Sequence, residues 1–389
     1  MRILSVHNRY QIRGGEDESR EAEERLLRDM GHQVEVYEEN NDRVATLGTI
    51  QLASRTVWSA QTYRTIKTVL TEQTYDVVHV QNFFPLISPS VYYAAKAQGV
   101  PVVQTLRNYR LLCPNAQFFR DGRVCEDCLG KFVPLPGVVH ACYRGNRAAT
   151  GVVATMLTAH RAMGTWTNLV DIYIALTDFA RDKFIQGGLP AQKIVVKPNF
   201  VHPEPEIGYG RGGYALFVGR LSPEKGIDTL LQAWERLDNQ IPLKLVGDGP
   251  LVPQVTEAVG RGFGVEWLGR RPVAEVYELM KDAAFLVFPS QWYEGQPRTI
   301  IESFAVGTPV IASNLGAMSS LVKPYHNGLH FYPGNWEDLV EQVEWALAHQ
   351  EEVTRMRHAA RAEFEINYTA QENYRQLMGI YEKAIENSR

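Results

Sequence analysis

Apolar and polar positions along the chain follow two alternating rhythms. Short runs rich in Val, Ile and Leu, "RILSVHN", "QVEVYEE", "DVVHVQN" and "VPVVQTL", read as strands buried in a sheet. Between them lie longer stretches at helical spacing, such as residues 16–30, where Glu, Arg and Leu recur. Alternation of this kind predicts a parallel sheet with helices on both faces. The rhythm breaks at "PNFVHPEPEIGYGRGG", rich in Pro and Gly and without an apolar period. It restarts in "YALFVGR", "LKLVGDG", "VEWLG", "AFLVFPS" and "TPVIAS". The expected architecture is α/β: two Rossmann-like, doubly wound domains, residues 1–198 and 213–367, joined by a linker at 199–212. Ligands of such sheets sit at the carboxyl ends of the strands, which directs attention to the strand-to-helix loops. From residue 336 to 389 the pattern is helical.

Composition adds limits. A chain of 389 residues is too long for one ordinary core, and 45% hydrophobic with 22% charged residues is globular in character. A formal net charge of -4 argues against general nucleic-acid binding, which wants a basic face, and leaves room for a local basic pocket. "MRILSVHN" starts directly as a strand, without a charged leader and apolar segment. No apolar run reaches the roughly 18 residues of a membrane-spanning helix. A cytoplasmic protein is expected, with contact at the inner face of a membrane left open.

Two loops carry the candidate chemistry. In "VGRLSPEKGIDTLLQAW" a strand ends near Gly219 and a helix starts near Ile227, so Arg220 and Lys225 lie between them. Two fixed cations beside a helix N-terminus suit a diphosphate, one as a planar fork and one as a point charge. In "WYEGQPRTIIESFAVGTPVIAS", Pro297 fits the first turn of a helix, and Gly295 with Gln296 offers backbone N–H groups just before it. Glu302 falls in the second turn, where its carboxylate leans back toward the helix start and can accept from a ribose diol. Glu294, on the preceding loop, can accept from sugar hydroxyls. The plainer alternative is two solvated cations, a helix-surface acid and a loop acid. In the N-terminal half, "NRYQIRGGED" is a strand-to-helix loop whose Gly14 and Gly15 allow close backbone approach to a ligand. His79 in "VVHVQN" reads as a satisfied core histidine.

On these residues the chain resembles the retaining glycosyltransferases of family 4. "EGQPRTIIE" has their E-x7-E spacing, "GTPVIAS" follows as in that family, and "VGRLSPEKGID" and "LVGDGP" match its other C-terminal signatures in order. The resemblance covers nearly the whole chain. It implies a GT-B fold, two Rossmann-like domains with the active site in the cleft between them, and a C-terminal helix, 368–389, packing back on the N-terminal domain. It also implies that Arg220 and Lys225 hold the donor diphosphate, Glu302 the ribose and Glu294 the transferred sugar. Gly295, Gln296 and Pro297 belong with the donor site, and Gly14 and Gly15 with the donor phosphates and acceptor. Where many relatives carry a histidine that contacts the donor sugar, "QTLRNYRLL" places Arg107, which can bind an anion and cannot act as a base.

The implied activity is retaining, metal-independent transfer of a hexose from a UDP- or GDP-linked sugar to a saccharide or lipid-linked acceptor, in polysaccharide or glycolipid assembly. The rival readings are a sugar-nucleotide epimerase and a non-catalytic sugar-nucleotide-binding module.

All four cysteines, Cys113, Cys125, Cys128 and Cys142, fall within an insertion at 109–145. One C-x2-C pair with two outlying cysteines fits a structural zinc that closes a loop poor in core. Free thiols or an iron–sulfur cluster are the alternatives, and disulfides suit a reducing cytosol less. Beyond the last cysteine, residues 143–168 mix Arg, Met, Leu and Trp in a helical frame. They read as an ordinary packed helix, or as one that rests on a membrane surface.

Overall fold

The computed structural model describes residues 1–11 and 14–388. The chain forms two compact units. One comprises Met1–Phe118, Cys125–Pro198 and Asn373–Arg389, the other Phe119–Val124 and Asn199–Glu372.

The first unit is built on strands β1 (Arg2–Arg9), β2 (Gln33–Asn40), β3 (Val77–Asn82) and β4 (Val102–Leu106). After a two-strand hairpin, β5 (Phe119–Arg120) and β6 (Arg123–Val124), its sheet is completed by β7 (Ile172–Ala175) and β8 (Ile194–Val196). The order β2-β1-β3-β4-β7-β8 is parallel throughout and reverses direction between β1 and β3. β3, β4 and β7 are wholly buried, as their apolar runs require. β2 also reads as buried from its sequence, but it is an edge strand and half-exposed, because it has a neighbour on one side only. The helix Ala370–Ser388 belongs to this unit: Leu377, Ile380, Tyr381 and Ala384 share a core with Ile3, Val77, Val103, Ile172 and Ile174.

The second unit has β9 (Ala215–Val218), β10 (Leu243–Val246), β11 (Val265–Gly269), β12 (Phe285–Phe288), β13 (Val310–Ser313) and β14 (Gly328–Phe331). Its order, β11-β10-β9-β12-β13-β14, is the doubly wound one, with the switch point between β9 and β12. The strand period of two divides the core between the faces. Ala215, Phe217, Leu243 and Leu245 pack with the helices Ile227–Leu237 and Trp336–Ala348, whereas Leu216, Val246, Leu286 and Phe288 pack with Arg298–Ala305 and Gln350–Asn367. No helix or strand lies between Val196 and Ala215. The stretch is nevertheless laid down on its unit: Gly208, Gly210 and Gly212 donate backbone N–H bonds to Val306, Lys281 and Asp282. Among the described residues, no helix is long and apolar enough to cross a membrane.

A buried polar network ties the first unit together. Glu23, on the helix Gly15–Asp29, pairs with Lys197 at 2.8 Å and accepts from Gln81 at 2.8 Å. His79 meets Tyr381 at 2.7 Å through Nδ1 and Thr105 at 2.8 Å through Nε2, so both ring nitrogens are satisfied. Burial pushes the Glu23 carboxyl up, but Lys197 first, then His79 and Arg107, bring it down to about 2. Burial pushes His79 down to about 4, with Glu23 opposing.

The folded pKa of His79 thus lies below the ordinary value of about 6.5. Its contribution is present above that value and is lost as pH falls toward 4, because the unfolded chain takes up a proton that the folded chain refuses. Urea unfolding should show the parent losing about 2 kcal/mol more than His79→Gln between pH 7 and pH 5. Equal losses in the two proteins would contradict this assignment.

Candidate functional site

The switch point of the second unit gathers its candidate residues. Lys225 ends a short 3-10 turn, Pro223–Lys225, and Gly226 caps the helix that follows. Its ammonium lies 2.5 Å from Glu294 Oε1, on the loop after β12. The same carboxylate oxygen accepts from Ser290 Oγ at 2.8 Å and from the Trp292 indole N–H at 2.7 Å. Lys225 also stands over the rings of Phe288 and Trp292, 5.6 and 5.4 Å from their centroids. Glu294 is buried and Lys225 half-buried, so the pair is a fixed element of the loop. Two acids and two cations read from the sequence as separate contacts therefore include one ion pair.

Backbone contacts zip the two loops together. Gln291 N–H donates to Glu224 O at 2.8 Å, and Gln291 Nε2 donates to Thr229 at 2.8 Å. The approach is close enough to demand glycine at Gly226, whose φ is +71° and whose added Cβ would sit 1.9 Å from Pro289 O. Gly247, at φ +145°, passes Gly219 in the same way, with an added Cβ 1.8 Å from its carbonyl. These contacts give the glycines of "PEKGID" and "LVGDGP" a mechanical reason.

The remaining donor-side candidates lie on the same two loops and on the helix that follows the second. Arg220 follows β9 directly and its guanidinium is exposed, with no partner among the described residues. Pro297 precedes the helix Arg298–Ala305 as its N-cap, rather than lying in its first turn. Gln296 is buried; its Oε1 accepts from Asn199 N at 2.6 Å, while its Nε2 has no hydrogen-bond partner among the described residues. Gly295 lies between Glu294 and Gln296 on this loop. Glu302 is half-buried and paired with Arg298 one turn earlier, at 3.1 Å. It is not a freely solvated helix acid.

In the first unit, the loop after β1 opens the helix Gly15–Asp29; Ile12 and Arg13 of "NRYQIRGGED" lie outside the described residues. Gly14 is extended, and an added Cβ there would meet nothing within 4 Å. Its N–H donates to Asp17 Oδ2 at 3.1 Å, and Asp17 Oδ1 faces His7 Nε2 at 2.8 Å. Burial pushes Asp17 up, but the bonds from His7 and Gly14 hold it below the usual carboxylate range. Arg107 follows β4, nearly buried, and donates through Nε and Nη2 to Gln81 Oε1 at 3.0 and 2.6 Å. Gln81 in turn donates to Glu23, so Arg107 is held by the buried network.

Sequence reasoning missed several residues here. Asn108 donates to Glu16 at 3.0 Å and to Tyr10 at 3.2 Å, linking the turn after β4 to the start of the helix at Gly15. Ser290 and Trp292 were legible only as neighbours of Glu294, within "PSQWYEG".

The zinc expectation needs correction. Among the described residues, no group of three or more His, Cys, Asp or Glu is placed to hold a metal ion, and Cys113, Cys125, Cys128 and Cys142 form no disulfide. Burial, with smaller contributions from the neighbouring thiols, pushes Cys128 up to about 11. The segment has another source of order: Arg161 donates to the carbonyls of Leu111, Lys131 and Phe132.

Comparison with known proteins follows this geometry. Residues 24–205 match the family described as Glycosyltransferase Family 4, and residues 207–363 match Glycosyl transferases group 1. An uncharacterized glycosyltransferase of Methanocaldococcus jannaschii is 37% identical over 142 residues, which are 36% of this chain and 40% of that protein. Lipopolysaccharide 1,6-galactosyltransferase of Salmonella typhimurium is 28% identical over 204 residues, 49% of this chain and 56% of that protein. The matches thus span about half of these relatives' own lengths. Among solved structures, Anabaena Alr3699/HepE in complex with UDP superposes with a TM-score of 0.68 at 19% identity, covering 97% of this chain and 99% of that one. At that identity the likeness establishes the fold, which is GT-B.

The loop packing makes a paired prediction. Gly226→Ala should lower stability by at least about 2 kcal/mol, through a left-handed backbone and the collision with Pro289 O. Gly260→Ala, in the helix Val252–Arg261 where an added Cβ meets nothing, should be neutral or stabilising by about 0.5–1 kcal/mol. Denaturant titration distinguishes them, and equal effects would contradict the loop contact.

Proposed function

The chain carries a Glycosyltransferase Family 4 domain and a Glycosyl transferases group 1 domain on a GT-B fold, and on that premise we propose that it transfers a sugar, with retention, from a nucleoside-diphosphate donor to a saccharide or lipid-linked acceptor. The reaction belongs to polysaccharide or glycolipid assembly. The observation that carries this reading is the Lys225–Glu294 pair at the switch point, with Lys225 on the same strand-to-helix loop as the exposed Arg220.

A diphosphate between Arg220 and Lys225 meets a fork and a point charge at a helix start, both favouring an anion. As the bond between the anomeric carbon and the diphosphate oxygen breaks, its electron pair goes to that oxygen. Lys225 is already oriented by Glu294, so its charge stabilises the leaving group with little reorganisation. Protein cations do this work, and no catalytic metal is assigned. Glu302, reaching back to the helix start, takes the ribose diol. Glu294, held by Ser290 and Trp292, faces the transferred sugar. Gly14, Gly15 and Arg107 serve the donor phosphates and the acceptor, where Arg107 contributes charge and no proton chemistry. The relative named as a galactosyltransferase and the UDP held by the Anabaena protein support a sugar nucleotide as donor.

Arg220→Ala and Glu294→Gln should each lower turnover by about a hundredfold, the loss of one preorganised electrostatic contact. Melting temperature should change little for Arg220→Ala, which is exposed. Product formation from a panel of sugar nucleotides with an acceptor extract measures this. Parent activity in both variants would contradict the assignment. Binding without any product would favour a binding module, and a sugar isomerised without an acceptor would favour an epimerase.

A further inference from the structure

The insertion of the first unit displays apolar side chains that folding does not explain. Among the described residues, Phe132, Val133, Leu135 and Val139 are 58%, 47%, 59% and 53% exposed, all within eight positions. Their backbone is not loose. Arg161 donates to the carbonyls of Lys131 and Phe132 at 2.7 and 2.9 Å, and Gly137 packs on Pro114 and Cys128. Beside Val133 and Val138 lies a groove of about 450 Å³, floored by Gly151, Ala154, Thr155 and Ala159 of the helix Arg147–Ala162. That helix buries Val153, Met156 and Leu157, so the candidate membrane surface is the loop before it rather than residues 143–168 as a whole.

The sequence of this segment is basic once the acids Glu126 and Asp127 are passed. From Cys128 to Val170 the sequence contains no Asp or Glu, whereas roughly one residue in nine of the whole chain is acidic. Lys131, Arg144 and Arg147 are exposed beside the apolar side chains. An exposed apolar patch flanked by exposed cations fits a surface with an anionic face and an apolar interior. A two-fold contact with a second copy would bring the same cations together, which charge repulsion opposes.

We propose that residues 131–147, which include the short helix Leu135–Val139, are a docking segment for an anionic lipid bilayer. Phe132, Val133, Leu135 and Val139 enter the interface, and Lys131, Arg144 and Arg147 meet the headgroups. This assignment does not rest on the transferase reading.

The test is co-sedimentation of the full chain with phosphatidylcholine vesicles with and without phosphatidylglycerol. The parent should bind the anionic vesicles, and should release at about 1 M salt, where the screening length falls to about 3 Å. Reversing three charges, in Lys131→Glu/Arg144→Glu/Arg147→Glu, should cost roughly a hundredfold in partitioning. Phe132→Ser/Leu135→Ser should cost about tenfold. Both variants should keep the parent's melting temperature, since the replaced side chains are exposed. Absence of parent binding to anionic vesicles, or parent-like binding by both variants, would overturn the proposal. So would a concentration-dependent dimer that Phe132→Ser/Leu135→Ser dissolves, since a second copy would then cover the patch.

Discussion

The ion pair between Lys225 and Glu294 fixes the geometry on which the functional reading depends. It joins the loops after β9 and β12 at the point where the sheet order reverses, the place a doubly wound fold leaves open for a ligand. An exposed pair is worth little, about 0–1 kcal/mol. This one is held by geometry as well as charge: the carboxylate accepts from Ser290 and Trp292 too, and Gly226 allows the loops to close on each other. An ammonium so held is arranged before any substrate arrives, which is what stabilisation of a leaving group asks of a cation.

The first unit uses a similar device in its interior. Glu23, Gln81, Lys197 and Arg107 form a chain of charge-assisted bonds that runs from the helix Gly15–Asp29 across β3 to the ends of β4 and β8. Buried charges are tolerated there because each one named has a partner. The arrangement delivers Arg107 to the carboxyl edge of the sheet while keeping its side chain nearly buried. Asp17 secures the Gly14 turn through separate bonds to His7 and the Gly14 N–H. Both glycyl turn and arginine are therefore products of the fold rather than free loop features.

Much of this was legible in the sequence, for identifiable reasons. Parallel strands in the interior of a sheet must be short, mostly apolar runs, so β1, β3, β4, β9, β10 and β12 announced themselves. The loops carrying Arg220, Lys225 and Glu294 follow directly from the ends of those strands. What the sequence hid is pairing across distance. Lys225 and Glu294 are 69 residues apart and Glu23 and Lys197 are 174 apart, and only sheet order brings them together. The half-exposed state of β2 depends on its place at the edge, which its own residues do not encode. The four cysteines illustrate the converse: their spacing suited a metal, yet no group of three or more metal-ligating side chains is assembled among the described residues, and Arg161 fastens the segment. The exposed side chains at 132–139 became visible only once the following helix was seen to bury its own apolar face.

The central claim is that Arg220 and Lys225 read a diphosphate at this switch point. Calorimetric titration of nucleoside mono- and diphosphates tests it most directly, because the two ligands differ by one phosphate. The account predicts at least about tenfold tighter binding of the diphosphate to the parent, each factor of ten being about 1.4 kcal/mol. That preference should disappear in Arg220→Ala/Lys225→Ala, while monophosphate affinity changes less. An undiminished preference for the diphosphate in the double variant would contradict it.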